Sequence, residues 1–201
     1  MRIGVFGGSF DPIHNAHLIV ARVALEQLEL DRLLFMVAAS QPFKQGRHVA
    51  DAAARLHMVA LAVAGIPDFI ADDRELRRPP PSYTVDTLRE LRAEQPDAEL
   101  VLVMGADVAS GMDDWHETEA IGTLAKLAVC DRFPPRSAGI KASPGPWVTA
   151  GLNYGLQVPG LDISSTIVRA RAAAGKSLAG WVPSAVADYI VASRIYRSGT
   201  G

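Results

Sequence analysis

The chain has 201 residues, of which 49% are hydrophobic and 21% charged. It is long enough to bury a core without disulfides and too short for two full-sized domains, so we expect a single domain, residues 1–201. Twenty basic and 22 acidic residues give a net charge of −2, which argues against a nucleic-acid partner. No apolar stretch approaches the roughly 20 residues of a membrane span. The lone Cys130, predicted to be a buried strand residue, suits a reducing cytoplasm.

Predicted strands and helices alternate along the chain. Short apolar runs predict strands at residues 2–6, 33–38, 69–71, 99–104, 126–130 and 154–158. Apolar residues at helical spacing, together with capping and stop residues, predict helices at 16–28, 52–64, 84–95, 115–124, 164–174 and 183–196. Polar and proline-rich loops are expected at 40–47 and 133–146. This alternation predicts an α/β, Rossmann-like, doubly wound parallel sheet with helices on both faces and a C-terminal helical segment.

The first candidate site segment follows the first predicted strand and runs from Gly7 to His17 with the sequence GGSFDPIHNAH. Two glycines directly after a strand let backbone amides approach an anion closely. His14 and His17 are three residues apart, so both imidazoles can face one side if the first helical turn includes them. The pattern favours binding of phosphate groups beyond the carboxyl end of the sheet.

This segment is open to three other interpretations. A zinc site would need a third ligand, and the remaining histidines are scattered along the chain. A redox dinucleotide site would need Gly-x-Gly-x-x-Gly, whereas the order here is Gly4-x-x-Gly7-Gly8. The third interpretation is a tight turn carrying two surface histidines.

Two further segments carry candidate site residues. Near the end of the chain, Ile163-Ser164-Ser165-Thr166-Ile167-Val168-Arg169 opens a predicted helix, and Arg169 lies one turn inside it, within reach of a phosphate at the helix start. Serines in this position are by default helix caps. Gly105-Ala106-Asp107 follows the strongest predicted strand, where a carboxylate can accept ribose hydroxyls or cap a helix.

The first and last of these segments resemble the two signatures of the nucleotidyltransferase superfamily, the first of which ends in His-x-x-His. Residues 81–88, PSYTVDTL, and Gly105-Ala106-Asp107 followed by Trp115 are similar to its pyridine-nucleotide branch. Over essentially its whole length the chain resembles the bacterial nicotinate-mononucleotide adenylyltransferase family.

This resemblance implies an enzyme of NAD biosynthesis that joins nicotinate mononucleotide to the AMP moiety of ATP, giving nicotinate adenine dinucleotide (deamido-NAD) and pyrophosphate. Mg²⁺, held mainly by the ATP phosphates, would neutralise the triphosphate. The superfamily signatures alone also fit a pantetheine-phosphate adenylyltransferase, and a non-catalytic nucleotide-binding module is the alternative from another class. The sequence leaves open whether the chain forms a homodimer.

The resemblance also implies roles for individual residues. Those implied to act in catalysis are His14, His17, Lys44 and Arg169. Those implied to bind ATP are Gly7, Gly8, Ser9, Phe10, His17, Gly105, Asp107, Ile163, Ser164, Ser165 and Arg169. Those implied to bind nicotinate mononucleotide are Ser9, Lys44, Tyr83, Thr84 and Trp115. The loop around Lys44 departs from the family's usual Pro-Pro-His-Lys, because this chain has Gln41-Pro42-Phe43-Lys44 and therefore lacks that histidine.

Recognition of the nicotinate carboxylate has a physical rationale in this sequence. Tyr83 and Thr84 open a predicted helix, whose first backbone N–H groups favour an anion. Trp115 offers a flat face for the cationic pyridine ring, although an ordinary core contact is the competing interpretation. Asp86 in the same helical turn would repel a carboxylate unless it points away.

Overall fold

The fold is built on a six-stranded parallel sheet. A computed structural model describes residues 1–39, 50–133 and 152–197 of the chain. Its strands are β1 (Arg2–Gly8), β2 (Arg32–Val37), β3 (Phe69–Asp72), β4 (Glu99–Gly105), β5 (Lys126–Phe133) and β6 (Leu152–Pro159). They lie in the order β3-β2-β1-β4-β5-β6, and every neighbouring pair is parallel. The predicted parallel α/β sheet is confirmed.

Helices cover both faces of this sheet. Within the described ranges they are α1 (Asn15–Gln27), α2 (Ala52–Val63), α3 (Arg74–Arg77), α4 (Thr84–Glu94), α5 (Ala106–Ala109), α6 (Thr118–Leu124), α7 (Ser165–Ala173) and α8 (Ser184–Ser193). One buried cluster joins α1, α2, α7 and α8 to the sheet, and a second joins α4, α5 and α6 to the opposite face. The helices α7 and α8 form the predicted C-terminal helical segment.

The central strands are apolar on both faces because each face carries a helical layer. In β4, Val101 and Val103 pack into the cluster under α1 and α2, whereas Leu100, Leu102 and Met104 pack into the cluster under α4 and α6. Successive strand residues point to opposite faces, so a strand covered on both sides needs a continuous apolar run. This explains why β4 was the clearest strand in the sequence.

The strand order places the candidate loops at one crevice. The chain passes outward from β1 through α1 to β2, and in the other direction from β4 through α5 and α6 to β5. Because β1 and β4 are neighbours, the segments after them diverge, and a crevice opens at their carboxyl ends. Residues 9–14 follow β1, and α5 follows β4 directly, so both predicted segments border this crevice.

Several predicted boundaries were wrong, for local reasons. The predicted helix at 115–124 begins only at Thr118, because Trp115 is extended (ψ 150°) and Glu117 adopts a left-handed conformation (φ 51°). The predicted helix at 183–196 ends at Ser193, since Arg194 is left-handed (φ 56°). The four-residue helices α3 and α5 were not predicted, because so few residues show no periodicity.

Some predictions fall on parts of the chain outside the described ranges. The predicted loop at 40–47 lies within the undescribed residues 40–49. The loop predicted at 133–146 begins later than expected, since β5 extends to Phe133, and the rest of it lies outside the described residues.

Cys130 is buried in β5, as predicted, and its burial raises the pKa of the thiol to about 12. At neutral pH it is therefore a protonated core residue and not a thiolate. None of the helices in the described ranges combines the length and apolar character that crossing a bilayer requires.

Candidate active site

The loop after β1 is shaped by Phe10, whose side chain folds back into the core. Its backbone is left-handed (φ 46°), and its ring is 1% exposed. A Cβ on Gly8 would come within 2.8 Å of that ring, so Gly8 is required by the packing of Phe10. A Cβ on Gly7 would meet no atom of the described residues within 4 Å. Gly7 thus leaves open space at the carboxyl end of β1, as close approach of a ligand to the backbone requires.

The two histidines of this loop lie together at the start of α1. Their rings stack at 3.6 Å between centroids and 12° between planes. The backbone N–H of His14 donates to Nδ1 of His17 at 3.2 Å. Because an acceptor nitrogen carries no proton, the proton of neutral His17 is on Nε2, the atom that can donate to a phosphate oxygen. His14 is 5% exposed, so these are not the two surface histidines of the competing interpretation.

The late signature segment meets this loop directly. The Ser165 hydroxyl donates to the Pro12 carbonyl at 2.9 Å, and Nη1 of Arg169 donates to the Asp11 carbonyl at 2.6 Å. Residues more than 150 positions apart in the chain therefore form one structure at the crevice. Arg169 is half-buried, and only part of its guanidinium is used in these contacts, including one from Nη2 to Thr166 at 3.2 Å.

The serines of this segment also have structural roles. Ser164 is the N-cap of α7, and its hydroxyl oxygen accepts from the Ile167 N–H at 3.3 Å. The Ser165 hydroxyl is used in the bond to Pro12. Any contact of these serines with an anion would therefore come mainly from backbone N–H groups at the start of α7. Ile163 packs against the core beside them.

A buried polar network beneath the loop was not predicted. Arg55 of α2, 1% exposed, donates through Nη1 to the carbonyls of Ser9 and Ala38, both at 2.8 Å. The Tyr196 hydroxyl donates to Asp11 Oδ1 at 2.6 Å. Burial lowers the pKa of Arg55, an effect that the nearby Asp11 carboxylate opposes. Burial and the bond to Asp11 raise the pKa of Tyr196 above its usual value, so it remains a hydrogen-bond donor.

One sequence signal pointed to Arg55. It shares a buried face with Ala54, Met58, Val59 and Ala62, so a charged residue stands within an apolar helical pattern. A buried arginine of this kind needs several acceptors. Nothing in the sequence indicated that these acceptors would be carbonyls of the loop that carries the histidines.

Asp107 lies in the first turn of α5, directly beyond β4. Its carboxylate folds back over Gly105, where a Cβ would come within 2.6 Å of Oδ1, and the residue is exposed. Gly105 is the N-cap of this short helix. An exposed carboxylate at the carboxyl end of a central strand can accept hydrogen bonds from a ribose.

Tyr83, Thr84 and Trp115 are brought to one region by contacts between α4 and the segment before α6. The Tyr83 ring lies 4.3 Å from the ring of His116, next to Trp115. Tyr83 is the N-cap of α4 and provides no side-chain acceptor; its carbonyl accepts from the N–H groups of Asp86 and Thr87, which leaves the N–H groups of Thr84 and Val85 at the helix start.

The repulsion expected from Asp86 is offset by Arg89. Arg89 lies 3.6 Å from Asp86 and also pairs with Glu117, through Nη1 to Oε1 at 3.1 Å and a shorter contact from Nη2 to Oε2. An anion at the start of α4 therefore faces a carboxylate already paired with a guanidinium. The same Arg89 links α4 to the segment that carries Trp115.

Trp115 is half-buried and borders an open groove of about 360 Å³. One part of the ring packs against the core beneath α4 and α6, as the competing interpretation predicted, and another part lines the groove. The other lining residues include three carboxylates, Asp113, Glu117 and Glu119. An aromatic face among carboxylates favours a flat, cationic group.

Comparisons with known proteins agree with this geometry. The model of the cytidylyltransferase-like family matches residues 5–171. A probable nicotinate-nucleotide adenylyltransferase of Thermus thermophilus is 46% identical over 98% of this chain and 100% of its own length. Another from Thermomicrobium roseum is 41% identical over 98% of this chain and 92% of its own. The chain belongs to the nicotinate-nucleotide adenylyltransferase family.

Solved structures show the same fold as this family member. Plasmodium falciparum nicotinic acid mononucleotide adenylyltransferase complexed with NaAD matches with a TM-score of 0.75, covering 97% of both chains at 17% identity. The same parasite protein complexed with APC matches with a TM-score of 0.73 at 18% identity, covering 97% of this chain and 96% of that one. The Rossmann-like architecture expected from the alternating elements is therefore confirmed.

The side chains at the crevice bear on whether the protein itself could hold a metal ion. Among the described residues, no group of three or more histidine, cysteine or carboxylate side chains is arranged to hold a metal ion. The donors at the crevice are N–H groups and a guanidinium, which suit phosphate and not a bare cation. Lys44 and the departing Gln41–Lys44 loop lie outside the described residues.

Proposed function

We propose that this chain transfers the AMP moiety of ATP to nicotinate mononucleotide, giving nicotinate adenine dinucleotide and pyrophosphate in NAD biosynthesis. The observation that carries the proposal is the contact of the histidine loop with the start of α7, through Ser165 to Pro12 and Arg169 to Asp11. This contact gathers phosphate-binding donors from both signatures at one crevice. The 46% identity to a probable nicotinate-nucleotide adenylyltransferase supports the same activity.

The chemistry needs positioning more than a strong base. An oxygen of the mononucleotide 5′-phosphate, already anionic near neutral pH, attacks the α-phosphorus of ATP. The bond from the α-phosphorus to the α–β bridging oxygen breaks, and pyrophosphate leaves with that electron pair. Two anions must be brought together while charge spreads over the transferring phosphorus and its leaving group, a task for fixed donors. Mg²⁺ enters with the substrate as MgATP and neutralises part of the triphosphate charge.

The residues of the crevice divide this task. Nε2 of His17 donates to the reacting phosphate, and His14 holds the His17 ring by its stacked contact and its N–H bond. Arg169 and the backbone N–H groups of Ser164 and Ser165 bind the remaining triphosphate oxygens. The backbone of residues 7–10 lines the phosphate path, and Asp107 accepts a ribose hydroxyl. Lys44, from its loop, supplies a further cation.

The mononucleotide is recognised by the region of Tyr83, Thr84 and Trp115. Its carboxylate accepts from the first N–H groups of α4, which no side chain of Tyr83 caps. Its pyridinium ring stacks on Trp115, where the carboxylates of the groove favour positive charge. Asp86 opposes this arrangement little, because it is paired with Arg89.

Pyrophosphate release with MgATP and a panel of acceptors tests the proposal. We expect turnover with nicotinate mononucleotide, weaker turnover with nicotinamide mononucleotide and none with phosphopantetheine. Faster turnover with phosphopantetheine would identify a pantetheine-phosphate adenylyltransferase instead. Binding of ATP without pyrophosphate from any acceptor would indicate a non-catalytic nucleotide-binding module.

Replacing Trp115 with alanine is expected to raise KM for nicotinate mononucleotide about tenfold, as for loss of a cation–π contact worth about 1–2 kcal/mol. KM for ATP and kcat should change little, since the ring lies in the region assigned to the mononucleotide. Trp115→Phe is the matched control, because it retains a flat aromatic face and should restore most of the affinity. Initial rates with each substrate varied in turn measure the split, and equal losses for both substrates would contradict the assignment.

The proposal also covers the domain, the cellular compartment and the partners of the enzyme. One nucleotidyltransferase domain, residues 1–201, acts in the cytoplasm on small-molecule substrates, without nucleic acid or membrane partners. A single buried thiol, with no disulfide partner in the sequence, supports a reducing compartment. Sedimentation of the purified chain distinguishes a monomer from a homodimer.

A further inference from the structure

Arg78 joins the end of α3 to the start of α4. Its Nη2 donates to the Ser82 hydroxyl at 2.7 Å and to the Thr87 hydroxyl, and its Nη1 donates to Glu90 Oε1 at 2.8 Å. Ser82 is 7% exposed and Thr87 1% exposed, so most of these bonds are shielded from water. A single planar guanidinium thus binds the residue before Tyr83 and two successive turns of α4.

The Thr87 hydroxyl links Arg78 to Glu75 in this cluster. A guanidinium can only donate, so the hydroxyl accepts from Arg78, and it donates its own proton to Oε1 of the ionised Glu75 at 3.0 Å. Burial raises the pKa of Glu75 to about 7, so this carboxyl is only partly ionised at neutral pH. The main ion pair of Arg78 is therefore with Glu90 and not with Glu75. Such a cluster is costly to rearrange, because each buried donor and acceptor would lose its partner.

The segment between Arg78 and Tyr83 forms few hydrogen bonds of its own. Residues 79–81 are three consecutive prolines, which have no backbone N–H to close a turn. Tyr83, next to Ser82, caps α4 without a side-chain hydrogen bond. Two backbone bonds fix Tyr83 on the helix, since its carbonyl accepts from the N–H groups of Asp86 and Thr87, and the bond from Arg78 fixes Ser82 before it.

We propose that Arg78 is a positioning residue for the mononucleotide site: it fixes the Ser82–Thr84 turn so that the first N–H groups of α4 and the Tyr83 ring present one rigid surface to the substrate. This inference rests on the proposed function, and it concerns only the acceptor side of the reaction. Arg78 touches no substrate in this scheme and acts through Ser82 and Thr87.

Arg74, the first residue of α3, provides a control for Arg78, which caps the other end of that helix. It is a buried arginine that pairs with Asp72 at 2.8 Å and with Glu94, at the opposite end of α4, at 3.2 Å; it also lies 3.9 Å from Glu90. Replacing it removes a comparable set of ion pairs and weakens only the charge surroundings of Glu90, while the bonds from Arg78 to Ser82 and Glu90 remain. A general loss of stability should therefore affect Arg74 and Arg78 variants alike.

The experiment measures steady-state kinetics of the full chain carrying Arg78→Gln, with Arg74→Gln beside it. For Arg78→Gln we expect KM for nicotinate mononucleotide to rise about tenfold, as for a misplaced binding element, with kcat and KM for ATP unchanged. For Arg74→Gln we expect kcat and both KM values to remain unchanged. A rise in both KM values for Arg78→Gln, or an equal rise for Arg74→Gln, would overturn the proposal.

A milder variant covers the case in which Arg78→Gln does not fold. Ser82→Ala removes only the bond from Arg78 to Ser82 and leaves the bonds to Thr87 and Glu90, so KM for the mononucleotide should rise by a smaller factor than in Arg78→Gln. An unchanged KM in Ser82→Ala would also overturn the proposal. Each variant is compared with the wild-type chain. If the wild-type chain itself does not turn over nicotinate mononucleotide, the proposed function is overturned.

Discussion

Replacing His17 with asparagine is expected to lower kcat by about 100-fold or more, as for loss of a donor that stabilises developing charge. The asparagine oxygen can still accept the His14 N–H that now bonds to Nδ1 of His17, so the start of α1 keeps its hydrogen bond. The donor that Nε2 of the imidazole supplies is lost, because the shorter side chain does not reach the same position. Single-turnover rates of adenylyl transfer with saturating MgATP and nicotinate mononucleotide measure the effect.

Two further variants separate the chemical role of His17 from its structural one. His17→Ala removes both the acceptor and the donor and should be at least as slow as His17→Asn, with lower stability from the lost bond to His14. His17→Gln places an amide N–H near the former Nε2 and should recover part of the rate. Wild-type turnover in a folded His17→Ala protein would remove His17 from the reaction.

Replacing Arg55 with methionine is expected to lower the free energy of unfolding by about 3–5 kcal/mol, as for breaking a buried charged network. The carbonyls of Ser9 and Ala38 would lose their shared donor, and the buried Asp11 carboxylate would lose the nearby positive charge. Methionine fills a similar volume, so the loss reports the hydrogen bonds and the charge more than a cavity. Urea unfolding followed by circular dichroism measures it.

An exposed arginine serves as the control for Arg55. Arg22 lies over the Phe69 ring at 4.9 Å and 3.9 Å from Glu26, with its side chain 42% exposed, so Arg22→Met should cost less than about 1 kcal/mol. Tyr196→Phe, which removes only the bond to Asp11, should cost about 1–3 kcal/mol. Equal losses for Arg55→Met and Arg22→Met would show that the buried network contributes little.

Local chemistry explains which parts of the site could be predicted. A strand covered on both faces must be apolar through its centre, so β4 was visible as a run of five apolar residues, Leu100 to Met104. Histidines three residues apart at a helix start must lie on one side, and the rings of His14 and His17 do stack. A serine before a helix tends to cap it, as Ser164 does. The assignment of these residues to substrates stays a prediction.

Trp115 shows where local reasoning failed. The segment from Trp115 to Leu124 resembled one helix, yet the chain turns there through the left-handed Glu117 and starts α6 at Thr118. The turn is held by the Thr118 hydroxyl, which donates to the carbonyls of Met112 and Trp115. Whether these residues form a turn or a helix depends on contacts between α4 and the segment before α6. One of these contacts is the ion pair between Arg89 and Glu117.

By itself, the sequence determined the alternation of strands and helices, the parallel sheet and the positions of the two segments predicted to bind phosphate, because periodicity and capping act over a few residues. Only the tertiary structure decided what supports those segments. Arg55, Tyr196 and Arg78 are ordinary residues in the sequence, and each gains its role by donating to a group on another element. A buried donor must find an acceptor wherever packing brings one, and in the bond of Tyr196 to Asp11 that acceptor lies 185 positions away in the chain.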